Sequence, residues 1–237
     1  MIQPIIKTFK LIFAVFQDLI INLSGLLFRL TGGDNNVIIF EGDNVDNELE
    51  NVYQLRRKVF VKELGWVSEE KEKDIYDTHA IHFVAHKKGS VAGYVRLISS
   101  GNSFMLENEF KDLLTKSDLV TLHARKDEAA EISRLVLEKK LRNRYLSFWL
   151  RILLYRTIYQ WSLKHEIRYW YMVVSSRFLK HLQKLFPCRS IGISKEYNKG
   201  HGVTVAAVLD LREAEKKIQR EHPNLYRWFR NKTARSK

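Results

Sequence analysis

The chain has 237 residues, 45% of them hydrophobic and 12% aromatic, which is enough apolar material for one well-buried domain and excludes a disordered or collagen-like chain. Lys and Arg number 40 against 27 Asp and Glu, and the formal charge of +13 directs the protein toward nucleic acid, an anionic membrane face or an acidic carrier protein. A single cysteine, Cys188, excludes an intrachain disulfide and a cysteine-built zinc cage and fits a reducing, cytoplasmic setting.

Residues 1–32 read as an N-terminal amphipathic helix. Lys7, Asp18, Asn22, Gly25 and Arg29 recur near the helical period and form one polar stripe on an otherwise apolar surface. Asp18, midway along the run, argues against a membrane span, and no small-residue cleavage site follows. Such a helix either lies in a membrane interface, giving residues 1–30 peripheral contact with the inner membrane face, or docks on the protein's own body. The polar loop from Thr31 to Asn36 then leads into a second unit, residues 37–237.

In that unit, VIIFEGD (37–43) reads as a strand. DNELENVYQLRRKVFVKEL (46–64) reads as a helix with Leu49, Val52, Leu55, Val59 and Phe60 on one face. Strands over 81–86 and 90–98 flank a turn at Lys87, Lys88 and Gly89, a hairpin signal. A strand over 130–138 precedes a long helix over 147–164. RYWYMVVS (168–175) is a buried strand by its aromatic and β-branched content, and the helix over 176–186 stops at Pro187. A strand over 202–211 closes the sheet, and the basic tail from Arg212 is helical. This order predicts the α/β class: one mixed sheet with helices on both faces.

Three groups of residues stand out: Arg56, Phe60 and Trp66; Glu72, Asp74 and Asp77; and Arg96 with Glu131, Ser133 and Arg134. Arg96 sits inside an apolar strand, where a buried charge must be paired or functional. Strand alternation turns Glu131 and Ser133 to one face and Arg134 to the other. Arginines at strand ends beside a loop of carboxylates would build a charged network with bidentate hydrogen bonds. His79, His82 and His86 mix faces and lack supporting ligands, so they read as structural and no metal site is expected.

The ordered motifs R-x-x-x-F-x-x-x-x-x-W at Arg56, Phe60 and Trp66, E-x-D-x-x-D at Glu72, Asp74 and Asp77, the strand carrying Arg96, the ML…F segment ending at Phe110, and E-x-S-R at Glu131, Ser133 and Arg134 resemble the acyl-homoserine-lactone, or autoinducer, synthases and the neighbouring long-chain N-acyl amino acid synthases. The resemblance implies a single GNAT-like acyltransferase domain. It implies that Arg56, Asp74, Asp77, Arg96, Glu131 and Arg134 build a charged network beside the acyl-transfer site, while Phe60, Trp66 and Phe110 line the substrate cleft. Glu131 is the candidate base, with Ser133 and Arg134 beside it. The first signature begins later than in a minimal autoinducer synthase and the stretch from Trp66 to Glu72 is short. Both departures fall where the amine is gripped, and they favour an amino acid over S-adenosylmethionine as acceptor.

A coenzyme A-binding acetyltransferase cradles the pyrophosphate on a glycine-rich turn. The segment LEKKLRNRYLSFW after the strand ending at Leu137 has no glycine. Lys139, Lys140, Arg142 and Arg144 instead suit the acidic helix of an acyl carrier protein, whose acyl-phosphopantetheine is the expected donor, with no tightly bound cofactor. The rival class is a basic nucleic-acid- or membrane-binding protein, with Tyr145, Phe148 and Trp149 interleaved among the charges.

Overall fold

The protein is described by a computed structural model over residues 36–42, 46–142, 144–197 and 202–231, for the backbone alone at 46 and 144–147. The amphipathic helix expected over 1–32, with its membrane contact, lies outside the described residues.

A seven-stranded sheet runs in the order β1-β2-β3-β4-β5-β7-β6. Its strands are β1 (Asn36–Glu41), β2 (Ala80–Lys87), β3 (Ser90–Ser99), β4 (Ala129–Leu137), β5 (Tyr169–Ser175), β6 (Arg189–Lys195) and β7 (Thr204–Asp210). All neighbours are antiparallel except β4 and β5, which pair in parallel only from Ala129↔Tyr169 to Glu131↔Tyr171. The helices are α1 (Asp46–Arg56), α2 (Met105–Asn108), α3 (Lys116–Ala124), α4 (Arg144–Lys164), α5 (Ser176–Leu182), α6 (Leu211–Glu221) and α7 (Pro223–Arg230).

Alternation along the strands builds a core on each face. Phe83, Val95, Leu97, Trp170 and Met172 meet Leu150, Leu154 and Ile158 of α4, together with Ala214 and Ile218 of α6 and Phe229 of α7. On the other face Val84 and Tyr94 pack on Leu49, Val52 and Leu55 of α1. Farther along that face Tyr169 and Tyr171 pack on Phe104, Leu106 and Leu122. At about 25 cal/mol per Å² these two layers supply the main drive for folding.

Three elements depart from the sequence reading. β6 was not expected: its residues are mostly exposed on a sheet edge, and Gly192 interrupts the alternation of Ile191 and Ile193. Gly192 adopts φ +65 there, and a Cβ on it would fall 1.9 Å from the Leu113 carbonyl oxygen. α3 was also missed, although Thr115 and Asp118 form its capping box. The helix expected over 176–186 ends at Leu182, short of Pro187.

Candidate functional site

α1 does not stop at Arg56 but widens into a π-helical turn over Arg57–Glu63. The Leu64 amide donates to the Val59 carbonyl at 2.9 Å, and Gly65 at φ +60 then reverses the chain. Trp66 folds back over Phe60 with ring centroids 6.0 Å apart. Phe60 is buried, whereas Trp66 is exposed.

Six charges of alternating sign run from the base of this turn to β4. Arg56 donates Nε to Glu72 Oε1 at 2.5 Å and Nη1 to Asp77 Oδ1 at 2.7 Å. The same Asp77 oxygen accepts from Arg96 Nη1 at 2.7 Å. Arg96 also donates Nη1 to Asp74 Oδ1 at 2.5 Å and Nε to Ser133 Oγ at 3.0 Å. Asp74 Oδ2 accepts from Arg134 Nη2 at 2.7 Å, which completes the series. Arg56 and Arg96 are both 0% exposed, so the attraction acts with little water to screen it. Burial alone would raise the Asp77 carboxyl, but Arg56 and Arg96 bring it down to about 2. For Glu72 burial prevails and its carboxyl rises.

His82 supports this network from behind. The Asp77 carbonyl can only accept, so His82 Nε2 donates to it at 3.0 Å, and Nδ1 accepts from the Tyr94 hydroxyl at 2.8 Å. Burial lowers its pKa to about 4 and keeps the ring neutral beside the two arginines. His86 pairs with Glu48 at 2.8 Å. Among the described residues no three His, Cys, Asp or Glu side chains are grouped to hold a metal ion.

β4 corrects the expected side-chain alternation. Ser133 faces Arg96 in register, but the pairing slips between Tyr94 and Arg96 of β3, and Arg134 takes φ +55. Such a bulge re-aims a side chain, and Arg134 meets Asp74 on the same face as Ser133 instead of pointing away. Glu131 is 1% exposed, its Oε2 accepts from the Met105 amide at 2.6 Å, and burial raises its pKa to about 7. The fold thus holds a carboxyl poised between its two protonation states near neutrality.

Beyond Glu131, β4 and β5 diverge, and a cavity of about 910 Å³ opens between them. That is near the top of the range for small-molecule sites, roughly 300–1,000 Å³. Glu131, Ser133 and Arg134 line it with Phe60, Trp66 and Phe110; Arg56, Asp74, Asp77 and Arg96 stand behind the wall and hold Arg134 and Ser133 in place. Sequence reasoning missed Lys71 and Glu109, which add opposite charges to the lining. Burial raises the Glu109 carboxyl, as does nearby Asp74. It also missed the apolar arm formed by Ile158, Phe178, Leu182, Phe186 and Leu209 with Tyr155 and Cys188. These residues come from α4, α5, β7 and the segment before β6, and only the fold assembles them. Burial pushes the Cys188 thiol up to about 11, which disfavours the thiolate a nucleophile would need.

Of the basic residues expected to meet a partner, Lys139 and Lys140 are exposed on the turn after β4. Arg142 donates to Glu63 at 2.6 Å and to the Leu137 carbonyl at 3.0 Å. The Arg144 side chain lies outside the described residues. No helix of the described residues is long and apolar enough to cross a membrane.

The sequence matches the autoinducer synthase family over residues 42–218. No curated protein matches it. Among solved structures it is similar to the acyl-homoserine lactone synthase LasI, at 21% identity and TM-score 0.63 over 80% of this chain and 95% of that one. It is similar to the CoA-dependent acyl-homoserine lactone synthase BjaI, solved with S-adenosylmethionine and isopentyl-CoA, at 19% identity and TM-score 0.64 over 81% and 89%. It is also similar to FeeM, an N-acyl amino acid synthase from uncultured soil microbes, at 14% identity and TM-score 0.58 over 77% and 95%. These likenesses share the GNAT-like arrangement of a mixed sheet with helices on both faces.

Proposed function

Because the chain belongs to the autoinducer synthase family and is an acyltransferase, we propose that it moves a fatty acyl group from acyl carrier protein to the amine of an amino acid or amino-acid metabolite. The observation that carries this reading is one cavity with a charged outer part and an apolar arm, bordered by a buried carboxyl near pKa 7. Lys71, Arg134 and Glu109 offer opposite charges to the carboxylate and ammonium of an amino acid. The arm suits a hydrocarbon chain, at about 0.8 kcal/mol per buried methylene.

The chemistry follows from these groups. The bound ammonium loses one proton to solvent, the neutral amine attacks the thioester carbonyl carbon, and Glu131 takes the second proton that nitrogen sheds as the C–N bond forms. Amides of β4 beyond Glu131, where pairing with β5 has ended, stabilise the oxyanion. The tetrahedral intermediate collapses, the C–S bond breaks, and the leaving thiolate takes the proton from Glu131. Ser133 and Arg134, fixed through Arg96 and Asp74, hold the acceptor in line. A carrier protein as donor is supported by the glycine-free turn after β4 and by exposed Lys139 and Lys140.

A second reading, lactone synthesis from S-adenosylmethionine, is favoured by the likeness to LasI and BjaI. Mass spectrometry of organic extracts from bacteria expressing the chain, beside a Glu131→Gln control, separates the two. N-acyl amino acids made only by the intact protein support the first reading, and acyl-homoserine lactones support the second. Neither product from a folded protein overturns both.

A further inference from the structure

Outside the cavity lining, a second ion pair reaches Glu131 from the side of α2. We propose that Lys126, acting through Glu107, is a positioning residue for Glu131: the pair aims the first amides of α2 at the Glu131 carboxyl and sets a cation beside it. This rests on the acyl-transfer reading above, with Glu131 as base, and says what governs that base.

Lys126 sits in the turn over Lys126–Glu128 that leads into β4. Its Nζ donates to Glu107 Oε2, and the same oxygen accepts from the Phe104 amide at 2.8 Å, the returning half of a capping box. His123 Nε2 lies 3.2 Å from the other oxygen, Oε1. Glu107 thereby ties off the chain one residue before Met105, whose amide donates to Glu131 Oε2 at 2.6 Å. The Phe104 ring is wholly buried, and Lys126 Nζ stands 3.2 Å from its centroid in a cation–π contact. At its other end α2 is fastened by Asn108, which donates to the Tyr76 hydroxyl at 3.2 Å.

An ion pair on open surface would do little, but the Lys126 and Glu107 side chains are only 19% and 15% exposed. The Lys195–Asp112 pair, at 49% and 44%, is the ordinary surface case. Glu131 faces Arg96 from β3, Lys126 from the turn before β4 and Tyr76 from the segment before β2. Burial raises its carboxyl, while Arg96, the amides of Met105 and Leu106, and Lys126 act in the opposite sense. Arg96 is already engaged by Asp74, Asp77 and Ser133. The other opposing groups are Lys126 itself and two amides whose placement depends on its partner Glu107. Burial lowers the Lys126 ammonium, and Glu107 and Glu131 oppose that, so cation and carboxyl act on each other.

The test follows the Glu131 carboxyl directly. Protein labelled at the glutamate carboxyl carbon is titrated by NMR, with Glu131→Gln assigning the resonance. The signal should titrate near 7 in the intact protein. In Lys126→Met and Lys126→Gln it should move up by about 0.5–1 pH unit, because a lost cation and loosened amides both disfavour the charge. Lys126→Arg keeps the cation and a donor for Glu107, and should restore the original midpoint. The break in log kcat/KM against pH, measured with the donor and acceptor that yield product in the expressing cells, should move in step. Lost packing alone would lower activity without moving either midpoint, and a midpoint does not depend on how much of a variant folds. An unmoved carboxyl in the neutral variants overturns the positioning role and leaves the acyl-transfer reading intact. A kinetic break that stays while the carboxyl shifts, or no turnover by the intact protein, removes Glu131 as base and this inference with it.

Discussion

Asp77→Asn tests the buried network most sharply. The Asp77 carboxylate bridges two guanidinium groups at 2.7 Å each, and Arg56 and Arg96 are both 0% exposed. The fall of its pKa from 3.8 to about 2 corresponds to about 2 kcal/mol favouring the ionised form in the folded protein. Asparagine forfeits that preference and leaves two buried cations against Glu72 and Asp74, and removing one partner of a buried ion pair costs roughly 3–5 kcal/mol. At about 2–4 °C per kcal/mol for a chain of this size, the melting temperature should drop by about 10 °C. The sign with pH follows from a depressed folded-state pKa: the stabilisation is fully present above the unfolded value near 3.8 and is lost as pH falls through about 2. Urea titrations of the two proteins at neutral pH and at steps between pH 4 and 2 measure this directly. The gap should narrow as the wild-type carboxyl protonates. A difference below about 1 kcal/mol at pH 7, or one independent of pH, refutes the argument that Asp77 is the charged keystone between the arginines.

Three other outcomes are expected. If Glu131 is the base, the slope of log kcat/KM against pH falls by about one above pH 7, and a profile without that break between pH 5 and 8 removes it from that role. Glu131→Gln should lower kcat by about 10²–10⁴-fold while circular dichroism stays unchanged, since the amide oxygen can still accept from Met105. Exchanging Lys139 and Lys140 for Glu should raise KM for acyl carrier protein and flatten its dependence on salt; identical salt curves would place the docking surface elsewhere.

Much of this arrangement can be read from the sequence because it is written in local patterns. Arg96 announces itself as a charge within an apolar strand, and the acids at 72, 74 and 77 fall in one short loop. The meeting of Arg56, Asp77 and Arg96 needs the β2–β3 hairpin packed on α1, yet the paired-or-functional rule for buried charge already joins arginine to carboxylate. The direction of Arg134 was misread because alternation assumes a regular strand, and a left-handed residue in the middle of β4 breaks it. β6 was invisible because an edge strand half open to water carries little hydrophobic signal, and Gly192 is there to clear the Leu113 carbonyl. The inner wall of the cavity, Tyr155 from α4 with Phe186 and Cys188, unites residues over thirty positions apart that share no motif.

The brief parallel seam between β4 and β5 divides the sheet unevenly. Among the described residues only three ladder pairs join the two halves of the sheet, Ala129–Glu131 with Tyr169–Tyr171, while each half is internally laced by longer antiparallel ladders. The seam lies at one end of both strands, so the ladder opens like a wedge from Glu131 toward Leu137 and Ser175. What holds the two halves together past that point is the shared core beneath them, where Leu150, Leu154 and Ile158 of α4 meet strands of both. Amide hydrogen exchange should be slow at the seam and quicken along β5 and β4 where the ladder between them has ended.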